Sequence, residues 1–195
     1  MRHTGQVAGD AIGTGPDDPA CALAHGESTG PVQGRALVAV FASPVARSLL
    51  HFARDTGFRT VLVDPDPARL TDADHRLADL VLTGVDPAAL AAADVVVTDH
   101  DRPELGPLLR DVLAGAPRWI GVMGSPRHTG PHLAALAALD VPAADIARVH
   151  RPIGLNIGSR TPPEIALSTL AGLLADRNGR PGGFHFPTPP GPASG

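Results

Sequence analysis

Hydrophobic positions cluster in short, nearly continuous runs between about residues 35 and 178, separated by segments with helical spacing. The runs Ala36–Phe41, Arg59–Val63, Leu80–Leu82, Asp94–Thr98 and Trp119–Val122 are Val-rich and apolar on consecutive positions. Strands covered on both faces of a parallel sheet read this way. Helices are predicted over Val45–Thr56, Pro87–Ala92, Pro103–Leu113, His128–Leu139 and Pro162–Ala175. Strand and helix alternate, which predicts an α/β fold: one open, doubly wound parallel sheet with helices on both faces. In such a sheet, ligands sit at the carboxyl ends of the strands.

Two segments lack any hydrophobic period. Residues 1–34 and 179–195 are rich in Gly and Pro and are predicted to be a disordered leader and tail around one domain at 35–178. Hydrophobic residues make up 43% of the 195, enough for one core. Net charge is −4, and all sixteen basic residues are Arg. No basic stripe marks a nucleic-acid partner. No apolar run reaches the ~20 residues of a membrane span, and the N-terminus reads as no signal peptide, so a cytoplasmic location is expected. Cys21 is the single cysteine, which excludes an internal disulfide and a CxxC metal site. Nothing near it would activate the thiol.

Three junctions combine a hydroxyl residue with proline: Ala42-Ser43-Pro44, Gly124-Ser125-Pro126 and Arg160-Thr161-Pro162. Each is a candidate helix start. Thr161 and Glu164 form a capping box in sequence. At the second junction, Arg127 and His128 are expected in the first helical turn, where cations oppose the macrodipole. That placement suits an anion held by main-chain amides and the Arg127 guanidinium, with Arg160 reaching toward the same space. A solvated Arg127 is the alternative. Gly121 and Gly124 permit a close backbone approach or simply a tight turn.

Asp64 ends the second strand where a dinucleotide-binding domain places its ribose-binding carboxylate. The first turn, however, has no Gly-x-Gly, which argues against NAD(P) in the standard mode. Asp99-His100-Asp101 ends the fourth strand, offering a proton shuttle, a ligand or an ordinary turn. No second cluster with ligand spacing accompanies it, so no metal site is expected. Residues 151–160 form a glycine-bearing apolar loop, the kind that is functional or tightly docked. No Gly-x-Ser-x-Gly supports a hydrolase.

These segments resemble a family. Trp119-Ile120-Gly121-Val122-Met123-Gly124-Ser125 followed by Arg127 is similar to the "iGllGSrrk" segment of XdhC/CoxI proteins. Arg151 to Leu170, RPIGLNIGSRTPPEIALSTL, resembles their "PIGLdigartPeEIAlSil" signature, and Val95–Asp101 resembles their "vvvlTHd" region. The resemblance implies a Rossmann-like domain and an accessory role in maturing xanthine dehydrogenase or CO-dehydrogenase-type molybdenum hydroxylases. In that role it would carry molybdenum cofactor (molybdopterin) as cargo to the apo-enzyme, as a non-catalytic cofactor-insertion chaperone.

Cofactor-binding positions would be Ser43, Asp64, His100, Asp101, Gly121, Gly124, Ser125, Arg127, Pro152, Gly154, Arg160, Thr161 and Glu164. The family's small N-terminal domain has no counterpart in residues 1–34, which implies a partner chain carrying it; a homodimer is a further expectation. Asn156 stands where Asp is usual and Gly172 where Glu is usual. Two alternatives stay open: an NAD(P)-binding oxidoreductase, and a degenerate Rossmann scaffold acting through protein–protein contacts.

Overall fold

The computed structural model describes residues 35–125, 127 and 129–183. The expectations for the leader, for Cys21 and for residues beyond 183 lie outside the described residues. Six parallel strands form one sheet in the order β3-β2-β1-β4-β5-β6. They are β1 (Ala36–Val40), β2 (Arg59–Val63), β3 (Leu80–Leu82), β4 (Asp94–Val97), β5 (Trp119–Val122) and β6 (Val149–His150). The helices are α1 (Pro44–Asp55), α2 (Asp72–Leu77), α3 (Pro87–Leu90), α4 (Leu105–Ala114), α5 (Pro131–Ala137), α6 (Ala143–Ile146) and α7 (Pro162–Arg177). The doubly wound α/β fold is therefore as expected.

The continuous apolar runs follow from burial on both faces. In β1, Leu37 and Ala39 pack toward α1 and α7, while Val38 and Val40 pack toward α4 and α5. Every residue of β1 is buried. Each fully buried Leu or Val contributes about 1.5–3 kcal/mol, so this central strand anchors both layers.

The chain reverses its winding between β1 and β4. From β1 it leaves to α1 on one face; from β4 it leaves to α4 on the other. That switch opens a crevice above the strand ends.

Three elements were not legible in sequence. Edge strand β6 spans two residues, too few for any periodicity. Helices α2 and α6 have six and four residues, and α2 is held by a capping box between Thr71 and Asp74. Expected boundaries also move; the helix expected from Pro103 begins at Leu105. The helix after β5 begins at Pro131, three residues later than expected, with Gly130 as an N-cap that makes no side-chain bond. At the C-terminal end, Arg180 N donates to Ala175 O at 2.8 Å.

Candidate functional site

A cleft of about 870 Å³ lies over the ends of β4 and β5. Its walls come from the start of α1 (Val45), the β4 and β5 ends (Thr98, His100, Met123 to Ser125, Arg127), loop 152–159, and α7 (Ile165, Ser168, Thr169).

The loop docks on α7 through backbone contact. Leu155 N donates to Ser168 O at 3.0 Å. A Cβ on Gly154 would lie 2.7 Å from Ser168 Oγ, and one on Gly172 would lie 3.0 Å from the Gly154 Cα. Gly154 also holds φ +88°, a conformation that glycine alone adopts cheaply. The two glycines thus let loop and helix backbones touch. This explains Gly172 physically, since any side chain there would push the loop away.

Thr98 ties the strand ends together. Its Oγ1 donates to Phe41 O at 2.8 Å and accepts from Ser43 Oγ at 3.0 Å, while Ser43 Oγ accepts from Ala46 N and caps α1. Ser43 therefore serves the helix start and lies outside the cleft lining. His100 lines the cleft, with Nε2 3.6 Å from Asp101 Oδ1; Asp101 itself is exposed and outside it.

The anion site expected at a helix N-terminus is corrected. Arg127 and Ser125 belong to a turn ahead of α5: Ser125 Oγ accepts from Arg127 N at 3.2 Å and caps no helix. Both residues nevertheless line the cleft, beside Gly124. Gly124 has φ +153°, and a Cβ there would collide with the Arg151 guanidinium. Gly121 does not face the cleft. It makes room in β5 for the Trp119 ring and for Ile153, the latter 2.8 Å from a Cβ placed there.

Asp64 is likewise unavailable to a ribose. It is fully buried; Oδ2 accepts from Ala42 N at 2.8 Å and Oδ1 from Asp66 N at 3.0 Å. Arg102 completes its shell with two guanidinium contacts at 3.4 Å and lies 4.8 Å from the Phe41 ring centroid. Phe41 holds φ +73° at the end of β1, where a glycine would be expected. The amide that a pyrophosphate would need is thus given to Asp64.

Arg160, Thr161 and Glu164 build the start of α7 and do not line the cleft. Glu164 Oε2 accepts from Arg160 N at 2.7 Å and Thr161 N at 3.1 Å, which holds its carboxyl below the usual range.

Of the thirteen expected positions, the cleft gathers His100, Gly124, Ser125, Arg127, Pro152 and Gly154. Sequence reading missed Val45, Thr98, Met123, Ser168 and Thr169 as lining residues. The signal for the last two was present: adjacent hydroxyl residues in the middle of an otherwise apolar helix.

Among the described residues no helix is long and apolar enough to cross a membrane. The chain is 38% identical over 90 residues to Uncharacterized protein YqeB of Escherichia coli (strain K12), which covers 46% of this chain and 16% of that protein. It is 28% identical over 148 residues to a probable xanthine dehydrogenase subunit of Bacillus subtilis (strain 168), covering 72% and 42%. The solved structure of a xanthine dehydrogenase (BH1974) from Bacillus halodurans superposes with a TM-score of 0.57 at 27% identity, covering 75% of this chain and 43% of that one. The chain thus spans less than half the length of each of these relatives. The family model of the XdhC Rossmann domain matches residues 37–173, from the first strand to the last helix, and the chain belongs to that family.

Proposed function

We propose that this domain binds molybdenum cofactor in the cleft and passes it to a xanthine dehydrogenase-type apo-enzyme, acting as a chaperone without turnover of its own. One observation carries the reading: the cleft at the strand ends combines an apolar, glycine-bearing loop with the cation of Arg127. Its 870 Å³ lies within the ordinary range for small-ligand sites. Ile153, Leu155, Ile157 and Met123 offer apolar surface for a flat pterin. The Ser125–Arg127 turn offers a guanidinium for a phosphate. Membership in a family with relatives named as xanthine dehydrogenase or its subunit supports the choice of partner.

Dinucleotide binding in the standard mode fits less well, because the Ala42 amide and the Asp64 carboxylate are bonded to each other. The test is anaerobic equilibrium dialysis of the full chain with molybdopterin released from a hydroxylase, alongside NAD and NADP. Retained molybdopterin, weakened in Arg127→Ala by about ten-fold or more, is the expected result; a charge-assisted bond is worth ~1.5–3 kcal/mol. Retention of NAD or NADP in its place would overturn the reading.

A further inference from the structure

Ser168 and Thr169 follow one another in the second turn of α7, a helix otherwise built of Ala, Leu, Ile and Gly through this stretch. Both are more than nine-tenths buried, at 7% and 2% exposure, and both line the cleft. Ser48, a half-buried helical serine, bonds back to Pro44 O four residues earlier. Neither Ser168 Oγ nor Thr169 Oγ1 makes such a bond, or any other hydrogen bond, among the described residues. Neither oxygen is sealed from solvent, so both open onto the cleft and are available to bond a ligand there.

The surroundings say what kind of group would satisfy them. The Gly154–Ile157 stretch lies over this part of α7, bonded at Leu155 N to Ser168 O. Ile153, Ile157, Met123 and Ile165 supply apolar walls. A hydroxyl both donates and accepts, so two in a row match a ring edge on which a carbonyl neighbours an N–H. Thr98, the other hydroxyl of the cleft, is already bonded to Ser43 and to the β1 carbonyls and is not free for this role.

We propose that Ser168 and Thr169 are specificity-determining residues that hydrogen-bond the amide-like edge of a planar pyrimidinone-type heterocycle, the pterin end of the cargo, beneath the 153–157 loop. The inference rests on the cofactor-binding reading and orients the ligand within it. The heterocycle lies against α7, and its anionic substituent lies toward Ser125 and Arg127. Thr169 carries the larger share, because Ser168 also packs closely against Gly154. A site built to bond a polar edge rejects ring systems that lack it, since its own hydroxyls would then stay unpaired.

The test uses the full chain with pterin-6-carboxylate as a fluorescent probe, and dialysis with molybdopterin in parallel. Thr169→Val keeps the side-chain shape and removes the hydroxyl; Thr169→Ser keeps the hydroxyl. The expected result is that Thr169→Val binds pterin about ten-fold more weakly, equivalent to ~1.4 kcal/mol. Thr169→Ser stays within about three-fold of wild type. Thr169→Val is also expected to melt close to the wild-type temperature, because the hydroxyl bonds no other group of the protein. Unchanged pterin binding by Thr169→Val, or none by wild type, overturns the inference. So does a lowered melting temperature in Thr169→Val, which would reveal a structural hydroxyl. Pterin binding that depends on Thr169, with no retention of molybdopterin by wild type, removes the chaperone reading alone. Retention of molybdopterin equally by wild type and Thr169→Val removes this inference alone.

Discussion

Arg102 meets Asp64 with guanidinium nitrogens 3.4 Å from both carboxylate oxygens, directly below the β1–α1 turn. The pair is buried, and among the described residues only Glu104 gives the guanidinium a second carboxylate. Asp64→Ala would leave a buried cation with one partly exposed partner and free the amides of Ala42 and Asp66. The expected loss is about 3 kcal/mol by urea unfolding. Adding Arg102→Met should recover part of it. A single variant as stable as wild type would show that Asp64 is held for some other purpose.

Gly154 and Gly158 separate strain from contact. Both have positive φ, but a Cβ on Gly158 meets open space whereas one on Gly154 meets Ser168 and Thr169. Gly158→Ala should cost about 1 kcal/mol from backbone strain. Gly154→Ala should cost more and also weaken cofactor retention, by lifting the loop from α7. Thermal melts paired with molybdopterin dialysis distinguish the two. Equal effects at both positions would contradict the docking of Gly154 on the helix.

Asp74 should leave a mark on acid unfolding. Burial alone would raise its carboxyl; bonds from Arg47 and Thr71 outweigh that and bring it down from 3.8 to about 2. The folded value lies below the unfolded one. The contribution is therefore complete above about pH 4 and is lost as pH falls from there through about 2. Asp74→Asn should be less stable by about 2 kcal/mol at pH 7 and equal to wild type near pH 2. Denaturant titration across that range checks both ends.

His132 acts at milder pH. It is buried, its Nδ1 has no hydrogen-bond partner among the described residues, and burial, with the nearby Arg151 charge, lowers it from 6.5. The folded protein therefore resists protonating it. Stability from this site is full above about pH 6.5 and falls as pH drops through the lower folded value. His132→Leu should flatten that limb of the stability–pH curve. A limb that persists unchanged would assign it to another group.

The architecture was legible because β1, β2 and β4 are buried on both faces and helical segments separate the strands. The crevice position followed from topology alone. The site was half legible. Loop residues Pro152 and Gly154 and the Gly124–Arg127 turn stood out by composition. Asp64 was misread because its position in sequence cannot tell whether a carboxylate faces a ribose or an internal arginine. Arg127 was misplaced because Ser125-Pro126 mimics a helix start, while the helix begins at Pro131. Ser168 and Thr169 were signalled only as adjacent hydroxyls in an apolar helix, a pattern that does not tell whether they bond back to the helix or face a cleft.

The walls around the cleft are drawn from Val45, Thr98, Met123, loop 152–159 and Thr169, which lie on widely separated stretches of chain. No fragment of the domain can assemble this grip, so any ligand of the cleft would require the fully folded domain. Any cargo held there must also raise the free energy of unfolding in step with its concentration. A loaded carrier would then outlast an empty one under heat or protease, and release to the recipient enzyme would return it to the more perishable form.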